Sequence, residues 1–456
     1  MKKVFLWLMV VTVVVSMVAT FSLAGCKTTT TTETTTATET TAAITAAETT
    51  GAAPTEAAKP VTIQFMETLT SPDRTEYVKG LIKDFESKNA NIKVELVSVP
   101  WEQAHDKIMT QLAAKQLPDV VEMADNWMGE MAATGSVEDL GPYFDKLENK
   151  DNFLSSGLNI AKAYKNTLYS LPYGLFISCM FYRQDWLKEN SLQVPKTYEE
   201  LFATAEKLTN PAKNRYGFSY RGGLGAWTQI ENLLMTQSGA SDYFDANGKS
   251  FLRDPKAIEA FKQYNDLYYK ASPKDSLNWG YNEMVNAFTS DITGFLFQDA
   301  EVIGSCQKTM KEGTFAIVPL PVGPDGKRRV VGGFIGYSIF STSKNKDAAW
   351  KFISYMTSDS TVTDWNKKTN TNPANKVALK DKYFNEGYIK AWTDAFVDSN
   401  TILFNRPLYL PEWGQFFAGE SVNELQSCLL KKQTAEETMN KWATYLEDAY
   451  KKYNKK

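Results

Sequence analysis

The sequence predicts an α/β protein whose body folds as two lobes, and three observations carry that expectation. Beyond a Thr-rich stretch near the start, about 400 of the 456 residues remain, too many for one comfortable hydrophobic core. Strand-like and helix-like apolar spacings alternate along the first part of this body, the habit of a lobe with parallel strands. A β-rich run at residues 171–182 then interrupts the alternation, as a chain crossing into a second lobe would.

Residues 61–66 alternate apolar and polar side chains as a strand does. The loop Glu67-Thr68-Leu69-Thr70 follows, and then Ser71-Pro72-Asp73, in which Ser71 suits a helix cap, Pro72 the first helical position and Asp73 the positive end of the dipole. Val78, Leu81, Ile82 and Phe85 recur behind them at helical spacing. A strand at 92–99 and a helix at 101–114, with Ala104, Ile108 and Leu112 on one face, continue the pattern. Residues 120–123 read as a short buried strand, followed by a polar-aromatic loop, Asp125-Asn126-Trp127. In such a lobe the ligand crevice lies beyond the carboxyl ends of the strands, where both loops fall.

After 171–182, helices are predicted at 198–208 and 255–270, the latter with Ile258, Phe261 and Tyr264 or Asn265 at helical spacing. Asp245-Ala246-Asn247-Gly248 resembles a fragment of a calcium loop without its closing glutamate, so Asn-Gly reads as a hairpin turn. Strands follow at 315–320 and 330–340, with the turn residues Gly323-Pro324-Asp325-Gly326 between them. Inside the second, Gly332-Gly333 marks a close approach by a ligand or another backbone. Helices at 347–357, 422–430 and 436–453 complete the body, the last with Met439, Trp442, Leu446 and Tyr450 on one face.

The chain opens with Met1-Lys2-Lys3 and an uncharged apolar run to Gly25, a positive segment before a hydrophobic one that reads as an export signal. Its length also suits a membrane span, since roughly 18 apolar residues begin to cross a bilayer. The next residues decide between the two. Leu23-Ala24-Gly25-Cys26 resembles the bacterial lipobox, where a signal peptidase cuts before a cysteine that carries diacylglycerol. The expectation is a signal peptide at 1–25, a lipidated Cys26 and a disordered tether at 26–59, whose Thr, Ala and Glu cannot bury enough apolar surface to order it. The body is then held at the outer face of the cytoplasmic membrane.

Composition removes several function classes. A net charge of -3 from 50 basic and 53 acidic residues provides no broad field for nucleic acid. The single histidine, His105, excludes multi-histidine metal sites, and its expected place on a helix surface among polar neighbours speaks against a histidine triad. Cys179, Cys306 and Cys428 contain no C-x-x-C pair, so neither a disulfide framework nor a zinc cage is indicated; each reads as a small buried hydrophobe, with one disulfide left open. No cofactor or catalytic nucleophile is called for, although 53 acidic residues always leave a carboxylate pair of the kind a glycosidase uses.

Several segments, taken in order, carry a resemblance. They are Leu117-Pro118-Asp119-Val120-Val121 with Ala132-Ala133-Thr134-Gly135-Ser136, Leu171-Pro172-Tyr173 leading to Phe181-Tyr182-Arg183-Gln184-Asp185-Trp186-Leu187, and Pro195-Lys196-Thr197-Tyr198-Glu199-Glu200-Leu201. Gly332-Gly333 before a strand and Ser343-Lys344, and Pro411-Glu412-Trp413, complete the set. Between residues 61 and 453 the chain resembles the extracellular solute-binding proteins of ABC importers, in the carbohydrate-binding group that includes maltose-binding protein. The resemblance implies two discontinuous lobes, 60–172 with 333–380 and 173–332 with 381–456, of the type II periplasmic-binding-protein arrangement. Hinge crossings are implied near 171–176 and 332–336, with a third further on. It also implies a monomeric binding protein rather than an enzyme, a sugar or oligosaccharide as ligand, and membrane permease subunits as partners. A polyamine, a phosphorylated polyol or a metal chelate on the same fold stays open as the ligand.

The contacts that the resemblance carries over are Glu67, Thr70, Ser71 and Arg74 after the first strand, Asp125, Asn126 and Trp127 after the third, and Tyr173 at the first crossing. The second lobe is expected to contribute Arg221, Trp227, Trp279, Gln298 and Asp299, the hinge Gly333 and Phe334, and the C-terminal segment Arg406 and Trp413. Relatives often have Ala-Met and Gly-x-Trp where this chain has Gly294-Phe295 and Asp299-Ala300-Glu301. These residue types suit a pyranose: rings stack on its apolar C–H face, while carboxylates, amides and arginine bond its rim of hydroxyls. Trp127, Trp227, Trp279 and Trp413 stand in predicted loops beside Gly, Asn, Pro or Gln, unlike Trp442 on its helical core face.

Overall fold

The structure, a computed structural model, describes residues 59–455. Residues 1–58, which carry the expected signal peptide, Cys26 and tether, lie outside the described residues. Among the described residues no helix is long and apolar enough to cross a membrane.

The first lobe is built on a six-stranded sheet. Strand β1 (Val61–Glu67) runs parallel to both β2 (Ile92–Ser98) and β3 (Val120–Ala124). Between β1 and β2 the helix Pro72–Lys88 forms as its residues require: the Ser71 side chain accepts from the Arg74 amide at 3.3 Å, Pro72 opens the helix, and Val78, Ile82 and Phe85 are buried against the sheet. The chain next contributes β4 (Leu171–Phe176), leaves, and enters a four-stranded sheet as β5 (Cys179–Arg183). That second sheet adds β6 (Tyr216–Phe218), β7 (Thr293–Gln298) and β8 (Phe315–Pro319), in the order β6-β7-β5-β8.

The return crossing corrects one expectation. Residues 330–340 are not a single strand: β9 (Arg328–Val331) ends at Gly332, and β10 (Gly333–Ile339) begins on the first sheet, antiparallel to β3 and β4. The apolar run is continuous because both strands are buried, so hydrophobicity alone cannot show the change of sheet. A short β11 (Asn372–Pro373) finishes the first sheet in the order β11-β4-β10-β3-β1-β2. The chain then departs a third time, and β12 (Thr401–Phe404) pairs in parallel with β9. Each lobe is therefore made of separated chain segments.

Local chemistry matches local structure elsewhere. Thr434 and Glu437 cap the helix Ala435–Asn454 reciprocally, at 3.1 and 2.7 Å. Asp245 Oδ1 accepts from the amides of Asn247 and Lys249 at 2.8 and 2.9 Å, which makes the Asn247-Gly248 segment a turn. Cys179, Cys306 and Cys428 are buried, and no disulfide joins them among the described residues. His105 departs from its expected surface role: it is half-buried, with Nε2 2.9 Å from Glu130 Oε2 and its ring 5.9 Å from that of Trp127.

Candidate functional site

A cleft of about 1340 Å³ opens where the chain crosses between the sheets, with walls from both lobes. Its first wall lies at the carboxyl ends of β1 and β3. The amides of Thr68 and Leu69, leaving β1, donate to Glu122 Oε2 at 2.8 and 2.7 Å, which fixes the loop to β3. Ser71 caps the next helix and so places Arg74 in its first turn, facing inward. Arg74 Nη1 donates to Glu301 Oε1 at 2.7 Å, and Nη2 donates to the Tyr173 hydroxyl at 3.0 Å and to Glu122 Oε1 at 3.4 Å. Tyr173 in turn donates to Glu122 Oε1 at 2.5 Å, and the ring of Trp365 lies 4.7 Å below the guanidinium. Burial works against the charge on Arg74, but Glu301, Tyr173 and Glu122 outweigh it and hold the group well above its ordinary range. Because Glu301 follows β7 in the other sheet, this ion pair spans the cleft.

Asp125 begins the helix Asp125–Ala133 at the end of β3. It is pushed up to about 6 by burial, against the pull of Arg406. It accepts from the Phe334 amide at 3.4 Å, and a Cβ on Gly333 would stand 2.9 Å from Asp125 Oδ2, so a side chain there would displace the carboxylate. Arg406 bridges the walls: Nη1 donates to Asn126 Oδ1 at 3.2 Å, Nε to Glu231 Oε1 at 2.9 Å and Nη2 to Thr228 Oγ1 at 3.1 Å, with the Phe417 ring 5.1 Å away. On the second wall the Gln298 side chain accepts from the Asp299 amide at 2.9 Å. Asp299 is pushed up to about 7 by burial and then by Glu301, while Arg221 and Arg74 oppose the shift. Arg221 is lowered to about 10 by burial.

Of the residues expected from sequence, Thr70, Ser71, Arg74, Asp125, Asn126, Arg221, Gln298, Asp299, Gly333, Phe334 and Arg406 line the cleft. Glu67, Tyr173, Trp127, Trp227, Trp279 and Trp413 do not; they stand behind it. Glu67 accepts from Thr75 and Ser98 at 2.9 and 2.8 Å beneath the helix start. Trp227 is not in a loop but in the helix Ala226–Ser238, fully buried, with its Nε1 donating to the Tyr243 hydroxyl at 2.9 Å. Tyr243 donates to Glu231, the partner of Arg406. Trp413, in a short helical turn, donates to Asn126 Oδ1 at 3.2 Å. Trp279 donates to Asp275 at 3.3 Å. Trp127, inside a helix rather than a loop, stacks on Trp101 at 4.7 Å.

Trp101, rather than Trp127, lines the cleft, together with the rings of Phe176, Tyr281 and Phe417. Position could have signalled two of these: Trp101 follows the carboxyl end of β2, and Phe417 lies four residues, about one helical turn, beyond Trp413. Glu122 and Glu301 carried no local signal, since their partners are distant in sequence. Among the described residues no group of three or more His, Cys, Asp or Glu is placed to hold a metal ion. The arrangement is one of stacking faces and hydrogen-bonding groups, with two arginines joining the walls.

Residues 71–363 match the sequence model of the bacterial extracellular solute-binding proteins, and the chain belongs to that family. It is similar to the multiple sugar-binding protein of Streptococcus mutans, 25% identical over 359 residues that cover 71% of this chain and 81% of that protein. In fold it resembles maltose-bound MalE3 of T. maritima, with a TM-score of 0.75 and 23% identity over 84% of this chain and 98% of that one. An ABC substrate-binding protein from Listeria monocytogenes in complex with cycloalternan gives a TM-score of 0.75 at 17% identity, over 86% and 99% of the two chains.

Proposed function

We propose that the protein captures a sugar or oligosaccharide in this cleft by closure of its lobes and hands it to an ABC importer, while a lipid on Cys26 holds it outside the membrane. The composition of the cleft carries the reading. Trp101, Phe334 and Phe417 offer faces for the C–H side of a pyranose, and Asp125, Asn126, Arg221 and Gln298 offer bonds to its hydroxyls. A volume of about 1340 Å³ exceeds what a drug-sized ligand fills, which suits more than one sugar ring. The sugar-binding relative and the two sugar-bound fold relatives support the same ligand class.

In this reading the lobes comprise 60–172 with 333–380 and 173–332 with 381–456. Trp227 and Trp413 position contact residues instead of touching the ligand. Titration of tryptophan fluorescence against mono- and oligosaccharides tests the ligand class: a saturable change with at least one sugar is expected, and silence across the panel removes the reading. Fractionation tests the anchor separately. Cys26→Ser should move the protein from the membrane to the soluble fraction, and an unchanged distribution rejects lipid anchoring.

A further inference from the structure

Arg221 is the cleft arginine that no carboxylate holds. It is 7% exposed, its Nε donates to the Leu224 carbonyl at 2.6 Å, and its terminal nitrogens, which face the cleft, bond to no protein atom among the described residues. No carboxylate oxygen of the described residues lies within the 4.0 Å of an ion pair, although Glu102 and Asp299 are near enough to be felt. A second observation comes from the backbone. The helix Ala226–Ser238 has Gly225 at its N-cap, no capping side chain and no acid in its first turn. A Cβ on Gly225 would stand 2.3 Å from Arg221 Nη2, and its φ of +83° suits only glycine comfortably. The guanidinium therefore rests against the positive end of a 13-residue helix.

A buried cation against a positive helix end is repelled, and both charges face the cleft. A hydroxyl could accept the free N–H groups but brings no charge to an arginine without an ion-pair partner; an oxyanion does both. Accepting that the cleft holds a sugar, we propose that its ligand is an acidic sugar, whose carboxylate is received by the Arg221 fork, beside the positive end of the helix Ala226–Ser238. Lowered to about 10, Arg221 still carries its charge at neutral pH. Sulfate and phosphate esters share the oxyanion chemistry, and the planar fork pairs with a phosphate as it does with a carboxylate, so the titration has to separate them.

Calorimetric titration of the full chain with matched sugars tests this. The panel pairs glucose and galactose with glucuronic and galacturonic acid, includes the di- and trisaccharides of each, and adds the 6-sulfates and 6-phosphates. An acidic member should bind about tenfold or more tighter than its neutral partner. The advantage should shrink with added salt and vanish in Arg221→Met, whose melting temperature should equal or exceed that of the parent. Arg221→Lys, which keeps the charge without the fork, should lose part of the advantage and serves where the methionine variant does not fold. Neutral sugars binding as well as acidic ones would overturn the inference and leave the sugar reading standing. A preference for the sulfate or phosphate ester over the uronate would overturn the carboxylate assignment, and a preference that survives Arg221→Met would overturn the site. Failure of every sugar removes the sugar reading itself.

Discussion

Arg74 and Arg221 are buried guanidinium groups on opposite walls of one cleft, and their surroundings differ in kind. Arg74 stands among Glu301, Glu122 and the Tyr173 hydroxyl, over the ring of Trp365, so its charge is compensated within the protein. Arg221 has one backbone carbonyl at its Nε and a positive helix end beneath it. The first arrangement meets its charge within the protein and joins the lobes. The second costs stability and leaves an unmet electrostatic demand in the cleft, the pattern of a site that trades stability for binding.

Removing the compensating group from the first wall should have the largest effect. Glu122→Gln takes the carboxylate from Arg74, Tyr173, Thr68 and Leu69 at once. Breaking a buried pair from one side costs about 3–5 kcal/mol, so urea denaturation should show a loss of that order. Arg221→Met should change stability by no more than about 1 kcal/mol, or raise it. Equal losses in the two variants would erase the distinction between the walls. Glu301→Gln probes the part of the Arg74 network that crosses the cleft. It should weaken closure by about 1 kcal/mol and raise the radius of gyration in solution scattering at a fixed sugar concentration. An unchanged radius would assign that pair to local stability alone.

The walls also differ in how far the sequence revealed them. The first is encoded nearly contiguously: the β1 pattern, the Ser71 cap, Pro72 and the helical apolar spacing place Arg74 without reference to the rest of the chain. The second depends on partners far apart. Gly225 and Gly239 bracket a helix, yet Gly225 and Gln229 close to Trp227 read locally as a loop. Gln229, Glu231 and Asn232 are buried there because the Arg221 amide, Arg406 and the Val331 amide satisfy them. The partners of Glu231 and Asn232 stand 175 and 99 residues away, beyond the reach of any local period. The loop tryptophans misled for a related reason. A ring beside glycine suggests exposure, whereas Trp227 packs edge-on against Phe416 and Trp442 at 4.8 and 5.1 Å, contacts that only the tertiary fold supplies.

The smallest predicted effect separates the walls by pH. Burial and Glu301 push Asp299 up from its ordinary 3.8 to about 7, with Arg221 and Arg74 pulling the other way. A carboxyl with a raised folded value keeps its proton between about pH 4 and pH 7, where the unfolded chain has released it. Unfolding in that window sheds a proton, so the Asp299 contribution to stability falls as pH rises through it and levels off above. Asp299→Asn retains an acceptor for the Glu301 amide but cannot ionise, and should gain stability relative to the parent progressively from pH 4 to pH 7. Equilibrium denaturation of both proteins at each pH reads the contribution of Asp299 together with its neighbour Glu301 as a difference, because the more distant carboxyl groups are common to both. A difference that stays flat across the window would mean that Asp299 ionises as freely as a surface residue, and would place the second wall in a more solvated environment than its packing shows.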